Sequence, residues 1–201
     1  RSVSAFLLNR SSDLAIITAS AQNSFELRFL GTYPDIIDFA WNFVTINDDD
    51  PEGEADESMN AVKQALEKYR TGVDLDENDI LTVDKKNGFL VYESRYDQHL
   101  LRVEMCYWNE ADKKHKLFAC STWCYENGKP SLGQFDGMCF LRYNNATKKM
   151  TFCDTPGFEV SYDNTTYSLP RTGKDITVTK WNADGTKTEK TLKWNGHGFS
   201  K

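Results

Sequence analysis

The side chains of this chain that could carry nucleophilic or metal chemistry are five cysteines and three histidines. A zinc site needs paired thiolates, such as Cys-x-x-Cys, with partners nearby. Cys106, Cys120, Cys124, Cys139 and Cys153 offer no such spacing. Cys120 and Cys124 on one strand would stand roughly 13 Å apart, too far for a mutual disulfide. Across hairpins the geometry is better. A turn centred on Lys113 sets Cys106 opposite Cys120, and one centred on Ala146 sets Cys139 opposite Cys153. The expectation is zero to two cross-strand disulfides, with Cys124 left over.

A nucleophile needs a base held beside it. His99 and His115 fall at or near turns, and His197 lies between Gly196 and Gly198. No serine sits in a Gly-x-Ser-x-Gly elbow. There is no phosphate loop, no dinucleotide fingerprint and no HExxH. No catalytic residue is singled out and no cofactor is implied. Catalysis would need a Cys/His or carboxylate site assembled in space.

Asn47–Glu57 is acidic. Asp48, Asp50, Glu52 and Gly53 match the first ligand positions of a calcium loop, but Met59 stands where the bidentate glutamate belongs and Pro51 interrupts it. Asp74, Asp76 and Asn78 fail in the same way, with Asp79 in place of the glycine and Lys85 at the last position. Both read as solvated acidic segments, and no metal site is expected.

Aromatics provide the remaining chemistry. Trp108, Trp123, Trp181 and Trp194 all fall on expected strands. Most such rings pack between layers. Trp108 shares a strand face with Arg102 and Glu104 beside a turn. These three residues form the candidate ligand site, an outward-leaning platform for a glycan or a peptide or protein.

The elements that must position these groups are mostly strands, since side chains on a strand alternate between two faces. Leu101, Val103, Met105 and Tyr107 share one face of Leu100–Trp108, and Arg102, Glu104, Cys106 and Trp108 the other. Asn87–Tyr96, Lys116–Tyr125, Gln134–Tyr143 and Lys149–Thr155 read the same way. Short polar turns join them, so neighbouring strands pair antiparallel. Phe158–Tyr162 with Thr165–Leu169, and Asp175–Trp181 with Lys187–Trp194, read as further hairpins. The last is rich in threonine and lysine, as suits an edge that resists pairing.

Residues 1–30 hold three short apolar runs, read as strands, and Tyr33–Ile46 reads as helix or mixed structure with Pro34 at its first helical position. Asp56–Arg70 is a clear amphipathic helix. Met59, Val62, Ala65, Leu66 and Tyr69 form its stripe, Asp56 or Ser58 its cap, and Gly72 its end. Residues 73–86 read as an acidic connector.

The 201 residues can bury a core without obligatory disulfides. They divide as 1–75, short strands and the helix, and 76–201, the antiparallel β domain, or run as one continuous domain. A net charge of −6 argues against nucleic acid as partner. No apolar run approaches the ~20 residues that span a bilayer. No segment has the form of a signal peptide. A start at Arg1 suits either a cleaved export signal or a chain boundary.

The closing Leu192-Lys193-Trp194-Asn195-Gly196, with Phe199, and the segment Leu169-Pro170-Arg171-Thr172-Gly173-Lys174-Asp175 resemble those of uncharacterised exported β-rich proteins of Bacteroidetes. The resemblance favours an extracytoplasmic location, periplasm or cell surface, over the cytoplasm as the alternative, and implies no particular activity. The expected fold is α+β: an antiparallel meander forming a sandwich or open barrel, with one amphipathic helix packed on it. The expected function is a non-catalytic exported binding or interaction module, with a hydrolase as the competing class.

Overall fold

The computed structural model describes residues 24–46, 57–131, 137–161, 163–182 and 184–200. The first two apolar runs, the acidic loop and the expected cap Asp56 lie outside these residues.

An eight-stranded antiparallel sheet forms the middle layer. Its strands are β1 (Ser24–Glu26), β2 (Asp79–Asp84), β3 (Phe89–Tyr96), β4 (His99–Asn109), β5 (His115–Glu126), β6 (Lys129–Pro130), β7 (Gly137–Asn144) and β8 (Lys149–Cys153). The order is β1-β8-β7-β5-β4-β3-β2, with β6 paired to β5. A second sheet is an up-and-down meander of β9 (Thr165–Ser168), β10 (Ile176–Trp181), β11 (Lys187–Trp194) and β12 (Phe199–Ser200). Among the described residues there are two helices, α1 (Ile36–Val44) and α2 (Glu57–Thr71). Neither sheet closes on itself, and the architecture is α+β.

The period-two pattern of β4 explains the layering. Val103 and Met105 face the helices, in one core with Ile36, Phe39, Val62, Leu66, Leu90 and Phe118. Cys106 and Trp108 face the second sheet, in another core with Leu117, Phe140, Ile176, Leu192 and Phe199. The central sheet is therefore covered on both faces. The face carrying Arg102 and Glu104, read from sequence as outward-leaning, is an interface between sheets.

The ambiguous segment Tyr33–Ile46 is helical. Asp35, not Pro34, begins it: the Asp35 side chain accepts from the Ile37 and Asp38 amides, and Asp38 returns a bond to the Asp35 amide. Phe39 is fully buried and touches Tyr107, Phe118 and Tyr143. Helix α2 ends as expected, where Gly72 adopts φ +70° and the Val73 amide donates to the Lys68 carbonyl. Tyr69 departs from its expected stripe and stays 45% exposed.

Two strand assignments change. The connector 73–86 contains β2, whose Asp79 and Asp84 hide the pattern of Ile80, Leu81 and Val83. Residues 158–161 are not a strand. Phe158 instead leaves the ladder to pack on Phe140, Tyr167 and Phe199. The Asn127-Gly128 turn behaves as its residues demand, with positive φ at both positions of a two-residue loop joining Glu126 to Lys129.

Side chains of the central sheet bind the backbone that leads into the second sheet. The Glu104 carboxylate accepts from the Leu169 amide at 2.6 Å, and the Trp108 indole donates to the Lys174 carbonyl at 2.8 Å. Ser121 and Trp123 both donate to the Tyr167 carbonyl, at 2.8 and 3.1 Å. Glu104 is only 3% exposed and is balanced by Arg102, whose guanidinium also bonds Glu93. Glu104→Ala removes the acceptor shared by the Leu169 amide and the Arg102 guanidinium and should cost about 2–3 kcal/mol. Glu104→Gln keeps an acceptor for Leu169 and should cost about 1 kcal/mol. Urea unfolding at constant m-value measures both.

Candidate functional site

The residues expected to bind a ligand do not form an open platform. Trp108 is 4% exposed, stacked on Trp194 at 5.7 Å and edge-on to Phe199 at 5.2 Å. Glu104 is spent on Leu169 and Arg102. The backbone of the second sheet and its connections, whose position over this face no local spacing encodes, covers Glu104 and Trp108, while Arg102 stays part-buried on Glu93 and Glu104.

All five cysteines are free, the lower end of the expected range, and the proposed facing pairs are separated by register. Cys106 pairs with Ala119, so Cys120 lies opposite Met105 and points to the other face. Cys153 pairs with Phe140, while Cys139 lies opposite Cys120. Both turns enclose an even number of residues, Ala111–Lys114 and Asn145–Lys148, and close on Glu110–His115 and Asn144–Lys149. Each expected centre was off by half a residue, and a one-residue slip flips every side chain to the opposite face.

Where the second sheet stops, the same face of β5, β7 and β8 continues as a polar ledge. Alternate residues of these strands furnish it: His115, Arg142, Asn144, Lys149, Thr151 and Cys153. His115 stands directly across from Asn144, Asn144 from Lys149, and Arg142 from Thr151. A cavity of about 290 Å³ opens over them, with Thr147 at its rim.

The turns beneath the ledge are tied in place. Asp112 Oδ1 accepts from the Lys114 and His115 amides, and Asp112 Oδ2 meets His115 Nδ1 at 2.6 Å. Asn144 Oδ1 accepts from the Ala146 and Thr147 amides at 2.9 and 3.1 Å. That fixes the orientation of the amide, so its NH2 group faces His115 Nε2 at 3.0 Å. Nε2 must then be the acceptor, and the imidazole proton sits on Nδ1, donated to Asp112. Both ring nitrogens are occupied, and the lone pair a general base would use is held by an amide.

Glu110 is buried behind the ledge. Its Oε1 accepts from Arg142 Nε at 2.6 Å, and its Oε2 lies 3.6 Å from His197 Nδ1. Glu110, Asp112 and His115 bring ligand atoms within 4.8 Å of one another, a spacing a metal could use. The contacts do not suit one. A guanidinium already neutralises Glu110, and Asp112 and the only ring nitrogen facing it are bonded to each other.

Cys153 also lines the cavity. Burial pushes its thiol up to about 11, with Arg142 opposing the shift and Glu110, Cys139 and Asp154 adding to it. A nucleophilic cysteine requires the opposite displacement. A second cavity, about 280 Å³, lies at the other end of the sheet between Arg95, His99, Leu100 and Tyr125. Comparison with known proteins adds no assignment: no family model, curated protein or solved structure matches the chain significantly.

Sequence reasoning treated His115 as a turn residue and passed over Arg142, Asn144, Lys149 and Thr151. The available signal was the succession of polar residues at alternate positions on one face, directly after the apolar Phe140. No motif accompanies it, because two hairpins contribute to one surface.

Two measurements follow from this geometry. Cys153 should alkylate with iodoacetamide at pH 8 on the order of tenfold or more slowly than in the unfolded chain, read by peptide mass spectrometry. The Asp112 carboxyl, held down chiefly by the hydrogen bond from His115 and then by backbone amides, should titrate at about 2 instead of 3.8. Because its folded-state value is depressed, its contribution to stability is in place above 3.8 and is lost as pH falls through about 2. Carboxyl-carbon NMR should show this value move toward 3.8 in His115→Ala.

Proposed function

We propose that this protein is a non-catalytic binding module whose ligand site is the cavity on the β5–β7–β8 ledge. One observation carries the reading. The groups around the cavity that could do chemistry are committed to one another, while those that could recognise a ligand line open space. His115 uses both ring nitrogens on Asp112 and Asn144. Arg142, Lys149 and Thr151 reach a cavity of about 290 Å³, near the small end of the range for small-molecule sites. Turns braced by Asp112 and Asn144 hold these donors in place before any ligand arrives, which lowers the ordering cost of binding.

The hydrolase alternative draws on Cys153 and His115 lining the same cavity. It would require a thiolate and a freed imidazole, the reverse of their present states. The glycan or peptide platform built on Trp108 loses its support with the burial of that ring.

Titration of the 15N-labelled chain with a panel of small acids, sugars and short peptides tests the proposal. Shift changes should concentrate at the Thr147, Lys149 and Thr151 amides. Cys153→Ala should leave affinity within about twofold, since a half-buried, protonated thiol is only a weak hydrogen-bonding group. Turnover of an ester or peptide that disappears in Cys153→Ala would overturn the non-catalytic reading.

A further inference from the structure

In a chain of net charge −6, the ledge cavity is lined by two cations and by no carboxylate. Lys149 is exposed and has no ion-pair partner among the described residues. Arg142 is held differently. Glu110, whose side chain is 4% exposed, grips its Nε from behind, and neither Nη nitrogen has a partner among the described residues. A guanidinium anchored through Nε presents its two outer nitrogens as a fixed fork, the geometry that matches two oxygens of one anion. Thr151 stands directly across the ladder from Arg142, and Lys149 follows it two residues away on the same face. Glu110, Asp112 and Asp154 all stand outside the lining.

We infer that this cavity binds the oxyanion group of a small carboxylate or phosphate ligand, with the Arg142 fork and the Lys149 ammonium as its cationic contacts and the Thr151 hydroxyl as a further donor. This rests on the binding-module reading and gives it a ligand class. Glu110 has two opposed effects. It offsets part of the Arg142 charge, yet it fixes the side chain so that little conformational freedom is lost when an anion docks. Lys149 adds a cation with no ion-pair partner among the described residues, and selectivity for oxyanions over halide comes from the fork. The volume, about 290 Å³, admits a ligand of a few carbons or a phosphate monoester.

The test is titration of the whole 15N-labelled chain with inorganic phosphate and, separately, with succinate, at ionic strength held constant with sodium chloride. Saturable shifts are expected at the Thr147, Lys149 and Thr151 amides and at the Arg142 Nε–H. The anion that saturates at the lower concentration identifies the source class. Lys149→Glu, at an exposed position, should weaken binding at least about tenfold while leaving spectral dispersion intact. Arg142→Lys keeps the charge, loses the fork and should weaken it about fivefold. Shifts that grow linearly and match the chloride control would overturn the inference, as would Lys149→Glu affinity equal to that of the parent chain. If a neutral sugar saturates the same amides while both anions fail, the oxyanion inference falls and the binding module stands. If no ligand perturbs these amides, both fall.

Discussion

Four side chains of the central sheet bond backbone groups between Tyr167 and Lys174, and the remainder of the architecture depends on them. A sheet covered on both faces cannot leave polar side chains inside without partners, because each would cost about 1–3 kcal/mol. Glu104, Trp108, Ser121 and Trp123 meet that constraint by bonding the backbone of the incoming second sheet. Strand β9 ends its own sheet, so its Tyr167 carbonyl would otherwise lack a ladder partner on that side. Among the described residues, every buried side-chain nitrogen and oxygen has a hydrogen-bond partner. Burial raises the Glu104 carboxyl, and Arg102 together with the Leu169 amide opposes the rise, so the charge is tolerated where an isolated one would not be.

The same face then has two environments along its width. Under the second sheet its residues are aromatic and aliphatic, with Trp108, Trp123, Phe140 and Phe199 interlocked. Past the edge of that sheet, on β7 and β8, it turns cationic and hydroxylic. The cavity lies at this boundary, lined by polar residues of which Asn144 also accepts from the Ala146 and Thr147 amides. Rigid turns on both hairpins keep the step in shape. Gly157 assists nearby, since with φ +92° and the Phe199 carbonyl 2.2 Å from where a Cβ would sit, only glycine lets the chain pass under β12.

The helical layer plays a different part. Helices α1 and α2 seal the opposite face with Phe39, Val62 and Leu66, and Arg70 lies over the Trp41 ring at 4.4 Å, joining the two helices. None of these residues reaches the ledge. Buried cores therefore lie on both faces of the sheet, and the ledge sits at the rim of the second one.

Local sequence alone determined the elements: the alternation in β4, the 3.6-residue stripe of α2, the Asn127-Gly128 turn and the Gly72 terminus are each written in neighbouring residues, because strand and helix periodicity act over a few positions. It did not determine which face of β4 is wet, since Arg102 and Glu104 look solvent-exposed until a second sheet supplies the Leu169 amide. Nor did it determine the cysteine pairs, which depend on whether a turn holds an odd or even number of residues. The ledge was illegible for the same physical reason. His115, Arg142, Lys149 and Cys153 become neighbours only when two hairpins settle into register, and register is set by the burial of whole faces across the sheet rather than by any residue's immediate neighbours.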